Sequence, residues 1–181
     1  MSKLTKEKAL ELLKEAEEIT TDLGWVNHSR CVGETAGIIA EKLGLDKEKA
    51  SVLGYMHDIG KRDGDFNHHV MNGYNYLKNL GYDDDYCNIC LTHSYLNNDY
   101  MCTAGGIPED IPFRTNFIKN HEYTIYEKII NLCDLMCTKK RMTLEQRIIE
   151  IMLRRGCYEN TVYHIKEAQK LKNEIDTLLR M

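Results

Sequence analysis

Apolar residues recur at three- and four-residue steps along nearly the whole chain, the period of amphipathic helices. Residues 4–19 set Leu4, Leu12, Leu13, Ala16 and Ile19 on one face, with lysine and glutamate between them. Residues 28–43 repeat the pattern with Val32, Thr35, Ala36, Ile39 and Leu43, and Gly44 stops that helix. Asp46 is in position to cap a third helix carrying Ala50, Leu53 and Met56, ending near Gly60. Asn67 is the expected cap of a fourth, with Val70, Tyr74 and Leu77, closed by Gly81. A fifth, over residues 84–95, carries Ile89 and His93 one turn apart. Helicity resumes over 122–138 with Ile125, Ile129, Leu132, Cys133 and Met136. Thr143 and Gln146 have capping-box spacing for a helix over 144–155, and Ala168, Leu171, Ile175 and Leu178 mark a last one over 161–180. The pattern predicts about eight helices and no strand, an all-α bundle.

Residues 96–121 break the period. Both prolines of the chain and a Gly-Gly pair fall there. The stretch is read as a loop excursion of about 25 residues, longer than most loops in compact domains. It is either an active-site lid or a decorated connection.

Composition narrows the class. The 181 residues suffice for one domain spanning 1–181, and 43% hydrophobic with 29% charged residues is the balance of a soluble globular protein. No apolar run reaches the roughly 18 residues of a membrane span. The N-terminus alternates charge with leucine and lacks a signal-peptide core. Seven cysteines without a secretion signal point to a reducing cytoplasm. A net charge of -4 argues against a nucleic-acid partner.

The candidate chemistry lies in histidines and aspartates at otherwise apolar helical positions. His57-Asp58 ends the third helix; a neutral imidazole beside a carboxylate suits a divalent transition metal. Adjacent helical residues point about 100° apart, so the pair can bracket an ion over the helix end. His28 opens the second helix, His69 follows His57 in HVMNG, His93 ends the fifth helix, and Asp134 lies in the apolar stretch KIINLCDLMC. A lone carboxylate buried there needs a partner. Taken singly, each histidine is as well explained as a hydrogen-bonded core residue, and Asp134 as a buried acceptor. His69 is favoured over His68 because H-x-x-x-G sets it one turn before Gly73, and His121 is expected at the surface. Cys87 and Cys90 form a C-x-x-C without a second pair and read as packing, as do Cys133 and Cys137.

The ordered set His28…His57-Asp58…Asp134 resembles the signature of the HD-domain metal-dependent phosphohydrolases. The stretch HSRCVGETAGIIAEKLGLDKEKASVLGYMHDIGK looks like that family's core in spacing and identity. With His69 and His93 the set is similar to a six-ligand subset that holds two metals, nearest to bacterial HD-type dinucleoside-tetraphosphate hydrolases. The likeness covers residues 20–140; helices over 141–181 lie outside it and either complete the core or form a homodimer face. The Gly-Tyr-Pro motif of HD-type cyclic-dinucleotide phosphodiesterases is absent, and the connection from His93 to Asp134 is longer than the dinucleoside-polyphosphate group leads one to expect.

The resemblance implies an HD-domain helical bundle binding one or two divalent ions (Fe, Mn, Co, Ni, Zn or Mg). One would sit among His28, His57, Asp58 and Asp134; a second would take His69 and His93, with Asp58 bridging. It implies cleavage of a phosphoester or phosphoanhydride, in a nucleotide or other small phosphorylated metabolite, by a metal-bound hydroxide. Asp58 and Lys61 are the candidate catalytic residues. Lys61, Arg62, Lys140 and Arg141 are the candidate substrate contacts, the last two from a basic cluster that also holds Lys139, Arg147, Arg154 and Arg155. Each of these cations is equally readable as part of a solvated helical face. Two alternatives stay open: one metal, with His69 and His93 as substrate contacts or acid/base groups, and a non-catalytic module that binds a nucleotide or partner protein.

Overall fold

The computed structural model describes residues 2–106 and 111–181. Among the described residues there are nine α-helices and no strand. They are α1 (Lys6–Ile19), α2 (Gly24–Lys42), α3 (Lys47–Met56), α4 (His69–Asn79), α5 (Asp84–Thr92), α6 (Pro112–Asn120), α7 (Ile125–Met136), α8 (Leu144–Arg155) and α9 (Thr161–Leu178). Two short 3-10 turns lie at Ile59–Asp63 and Leu96–Asn98. No helix among the described residues is long and apolar enough to cross a membrane.

Four of the nine described helices start on a side-chain cap. The Asp46 carboxylate accepts the Lys49 N–H at 2.9 Å, as expected for α3. Thr143 and Gln146 close the expected capping box on α8, and Thr124 with Glu127 closes a second one on α7. Leu13, Val26, Leu53, Ile129, Leu171 and Ile175 belong to one buried cluster, so α1 and α9 complete the core. Each such side chain contributes about 1.5–3 kcal/mol of burial.

One crossing positions the site. A Cβ on Gly54 of α3 would lie 2.6 Å from the Gly33 Cα of α2, so only bare backbones fit at the contact. Leaving out both side chains brings α2 and α3 together there, and His28 and His57 meet on the same side.

Several boundaries differ from those the period predicts. The third helix gives way after Met56 to the 3-10 turn, so His57 and Asp58 stand at a helix end. α4 starts at His69 rather than beside Asn67, because the Asp65 carboxylate accepts the His68 N–H at 3.2 Å and holds the preceding residues in a turn. α5 stops at Thr92; His93 is extended and Ser94 is left-handed at φ 72°.

The 96–121 stretch is not a plain loop. It contains α6, opened by Pro112, whose fixed φ suits a first helical turn. α6 fully buries only Arg114 and Ile118, while Phe113 is exposed and Phe117 partly buried, so its apolar residues do not share one buried face. Ile118 joins Tyr95, Tyr100 and Tyr123 in a small second core. Residues 107–110 of the stretch, Pro108 included, lie outside the described residues.

Asn160, just before α9, clasps the first part of the excursion. Its Nδ2 donates to the carbonyls of Met101, Thr103 and Gly106 at 3.1, 3.0 and 3.0 Å. Asn160→Ala is expected to cost about 2 kcal/mol, from lost bonds and carbonyls left unmatched. It should also speed proteolytic nicking around residues 101–106 while helix content stays constant. Nicking and melting identical to the parent would refute the clasp.

Candidate metal centre

Six side chains from five helices meet at helix ends. His57 caps the C-terminus of α3, Asp58 follows it, His69 opens α4, and His93 follows α5. His28 comes from the second turn of α2 and Asp134 from the last turn of α7. His57, Asp58 and His93 are almost fully buried, at 1%, 2% and 2% exposure.

Asp58 is the hub. Its Oδ2 lies 3.5 Å from His57 Nε2 and 4.0 Å from His28 Nε2. Its Oδ1 lies 3.3 Å from His93 Nε2 and 3.4 Å from His69 Nε2. Asp134 Oδ1 accepts from His28 Nε2 at 2.9 Å and is 3.8 Å from His57 Nε2. Two groups could therefore each hold a cation, His28–His57–Asp58 and Asp58–His69–His93, and they share one carboxylate.

Ring orientation is set from behind. Nδ1 of His57 donates to the Gly54 carbonyl at 2.7 Å, Nδ1 of His69 to the Phe66 carbonyl at 2.7 Å, and Nδ1 of His93 to the Ile89 carbonyl at 3.2 Å. Carbonyl oxygens only accept, so the neutral rings turn their Nε2 lone pairs inward, the arrangement that metal-ligating histidines need. His69 and His93 then face each other, Nε2 to Nε2, at 3.3 Å. Two lone pairs at that distance repel unless a cation or a proton lies between them.

The electrostatics agree. Burial pushes the His57 and His69 imidazoles down to about 4, so both are neutral at physiological pH. Burial opposes ionisation of Asp58, but the Lys61 ammonium beside it acts the other way, and the carboxyl lies well below the usual range. The same opposition operates at Asp134, where the His28 hydrogen bond wins and lowers the pKa. Asp58 Oδ1 is buried and has no hydrogen-bond partner. A charged, buried oxygen without a donor, facing imidazole lone pairs, fits a divalent cation of borderline hardness.

Arg114 supports the centre from α6. Its guanidinium is 6% exposed and donates to the Leu91 carbonyl at 2.9 Å, the Tyr95 hydroxyl at 3.0 Å and the His93 carbonyl at 3.2 Å. It thereby satisfies carbonyls at the end of α5 that carries His93. Its position inside the irregular excursion concealed this in the sequence.

The centre opens into a cavity of about 560 Å³, within the size range of small-molecule sites. Lys61 lines it and is ion-paired to Asp58. The other three expected substrate contacts lie elsewhere. Arg62 sits over the Tyr76 ring, 4.3 Å from its centroid. Lys140 is exposed in the turn after α7, and Arg141 lines a separate small groove with Lys172 and Asp176. Four other members of the basic cluster reach the cavity: Lys139, Arg147, Arg154 and Arg155. His164 of α9 does so too; it is 4% exposed, and burial holds its imidazole down at about 4. Its spacing with Ala168, Leu171 and Ile175 was the available signal.

The remaining histidines and cysteines stay outside this chemistry. His68 is exposed and pairs with Asp65, and His121 pairs with Glu127 at 2.8 Å. Gly73 serves the approach of Gly60 rather than clearance for the His69 ring. Cys87 and Cys90 are buried, with thiols pushed up by desolvation.

Comparison with known proteins agrees with this architecture. The family model of the HD domain matches residues 25–152. No curated protein matches the chain. Among solved structures, the HD domain of the L. monocytogenes phosphodiesterase PgpH is similar. The identity is 18% and the TM-score 0.50, covering 93% of this chain and 95% of that one. The same domain in complex with cyclic-di-AMP gives 19% identity and a TM-score of 0.52, over 94% of each chain.

Proposed function

The chain belongs to the HD-domain family, and we propose from that premise that it is a metal-dependent phosphohydrolase. Its reaction is cleavage of a phosphoester or phosphoanhydride bond in a nucleotide or other small phosphorylated metabolite. The observation that carries this reading is the single Asp58 carboxylate shared between two histidine groups.

His28, His57, Asp58 and Asp134 would hold one divalent ion; Asp58, His69 and His93 would hold a second. Bound ions supply Lewis-acid activation of water at neutral pH and positive charge for phosphate oxygens. The chain's own part is orientation. Three backbone carbonyls fix the His57, His69 and His93 rings, so these three rings need not reorient when a ligand arrives. Lys61, ion-paired to Asp58, would swing to a phosphate oxygen once the carboxylate charge is taken up by cations.

Within the family, the six-residue set supports membership of the two-metal subset. The sequence resemblance to HD-type dinucleoside-tetraphosphate hydrolases makes dinucleoside polyphosphates the first substrates to screen. The complex of the PgpH domain with cyclic-di-AMP adds cyclic dinucleotides to the screen.

The test is elemental analysis of untagged protein purified without chelator, followed by hydrolysis assays with Mn, Fe, Co, Ni, Zn and Mg. About two ions per chain and metal-dependent conversion of the substrate to its hydrolysed nucleotide products are expected. Each site filled by metal at 100 times its Kd should stabilise the fold by about 2.7 kcal/mol. In a chain of this length that raises Tm by roughly 5–10 °C, reversed by chelator. A protein that takes up no metal and shows no melting shift with any of the six would sink the proposal.

A further inference from the structure

The cavity has two electrostatically distinct walls. One wall carries Asp58 and Asp134 within 4.0 Å of His28, His57, His69, His93 or Lys61, and the lining also holds Asp22, whose Oδ1 accepts the Gly24 N–H at 2.7 Å. A second wall, from α8 and the turn before it, carries Lys139, Arg147, Arg154 and Arg155 with Glu150, and Asp134 acts on Arg147 from the first wall. Glu150 is already shared, contacting Arg147 and lying 3.0 Å from Arg154 Nε. Among the described residues, neither Lys139 nor Arg155 has an ion pair. The side chain of Arg147 is only 12% exposed, and its buried Nε has no acceptor.

Two further observations bear on this wall. Arg154 and Arg155, two of the wall's four cations, follow the last residue of the family match, 152. A volume of about 560 Å³ also far exceeds what one phosphate at the histidine cluster would fill; sites of that size take whole drug-sized ligands. Guanidinium groups with unused donors in a concave surface are suited to phosphate, which they bind through paired N–H bonds.

We propose that Lys139, Arg147 and Arg155 form a second anion subsite, and that the cavity's ligand carries at least two phosphate groups, one at the histidine cluster and another against this wall. The first half of that statement needs no metal; the second rests on the phosphohydrolase reading above. The wall then selects for oligophosphates over monophosphates. Lys140 and Arg141, adjacent to Lys139 in sequence, contribute nothing to this selection because they do not line the cavity.

Calorimetric titration of the full chain with inorganic tripolyphosphate and with orthophosphate, at fixed ionic strength, tests this. Each titration is run as purified and again in chelator. Tripolyphosphate should bind at least about tenfold more tightly than orthophosphate. The Lys139→Glu/Arg155→Glu double variant should lose at least about tenfold of its tripolyphosphate affinity. Lys140→Glu/Arg141→Glu, with the same charge change outside the cavity, should stay within about twofold of the parent. All four positions are exposed, and circular dichroism checks the fold of both variants. Equal losses in the two double variants would overturn the subsite in favour of general electrostatics, as would no loss in the first. Tripolyphosphate binding that depends on Lys139 and Arg155 in a protein unable to take up metal would remove the hydrolase reading and leave the subsite standing. Metal uptake and hydrolysis without that dependence would do the reverse.

Discussion

Asp58→Asn is expected to abolish metal uptake and to reduce hydrolysis by at least about a thousandfold, a loss near 4 kcal/mol in transition-state stabilisation. The substitution keeps the shape of the side chain and removes its charge. It also turns an N–H donor toward His57 and His28 or toward His69 and His93, whose nearest Nε2 atoms lie 3.5 Å and 3.3 Å from the two carboxylate oxygens. An amide cannot serve two cation sites at once. The decisive control is stability in chelator. With the charge gone, Lys61 loses its partner, but that side chain is 21% exposed and can reach solvent. Apo melting should therefore move by no more than a few degrees, while the metal-induced rise in Tm disappears. A variant that keeps its metal and its rate would end the two-group interpretation; one that unfolds in chelator would show a structural role for Asp58 instead.

Gly60→Ala is expected to be the most disruptive single methyl in the chain. A Cβ there would lie 1.8 Å from the His69 carbonyl oxygen and 2.4 Å from the Gly73 nitrogen, all of it backbone and unable to rotate away. Overpacking of a core costs about 1–3 kcal/mol where side chains can yield. A clash between the 3-10 turn and α4 should exceed that, about 3 kcal/mol or more, lowering Tm by roughly 6–12 °C. It would also push His69 away from Asp58. Metal content should then fall from about two ions per chain to about one, with the His28–His57–Asp58 group keeping its ion. Gly64→Ala is the comparison, since Gly64 has φ 80° and nothing within 4 Å. Its cost is conformational only, about 1 kcal/mol. Thermal melting of both variants, with elemental analysis, checks the contrast. Equal effects would refute the close-approach argument.

The helices and the six-residue cluster were legible in one dimension because their signals are local or periodic. Leu12, Leu13 and Ala16 repeat with the helix, Asp46 and Thr143 announce their caps, and polar His57, Asp58 and Asp134 interrupt apolar runs where isolated burial is costly. α6 was not legible, since its proline and its short, mixed run of Phe113, Phe117 and Ile118 sit in an otherwise irregular stretch, and the side chain it buries beside Ile118 is an arginine. Arg114 acts across 21 residues of sequence on the end of α5, and nothing near it in the chain indicates that contact. The basic cluster was visible as a cluster, but not its facing. Lys139 and Lys140 are adjacent, and whether a side chain enters the cavity depends on how the turn after α7 leaves the helix.

Residue type and spacing alone therefore determined the all-α architecture and the kind of chemistry, because burying charge and satisfying a helix are constraints each short segment must meet by itself. Direction and sharing were left to the tertiary structure. The bare contacts of Gly33 with Gly54, and of Gly60 with the His69–Gly73 segment, set how closely backbones approach. That approach, decided by packing between segments far apart in the chain, makes Asp58 common to two histidine groups and turns Lys139 and Arg155, rather than Lys140 and Arg141, toward the same cavity.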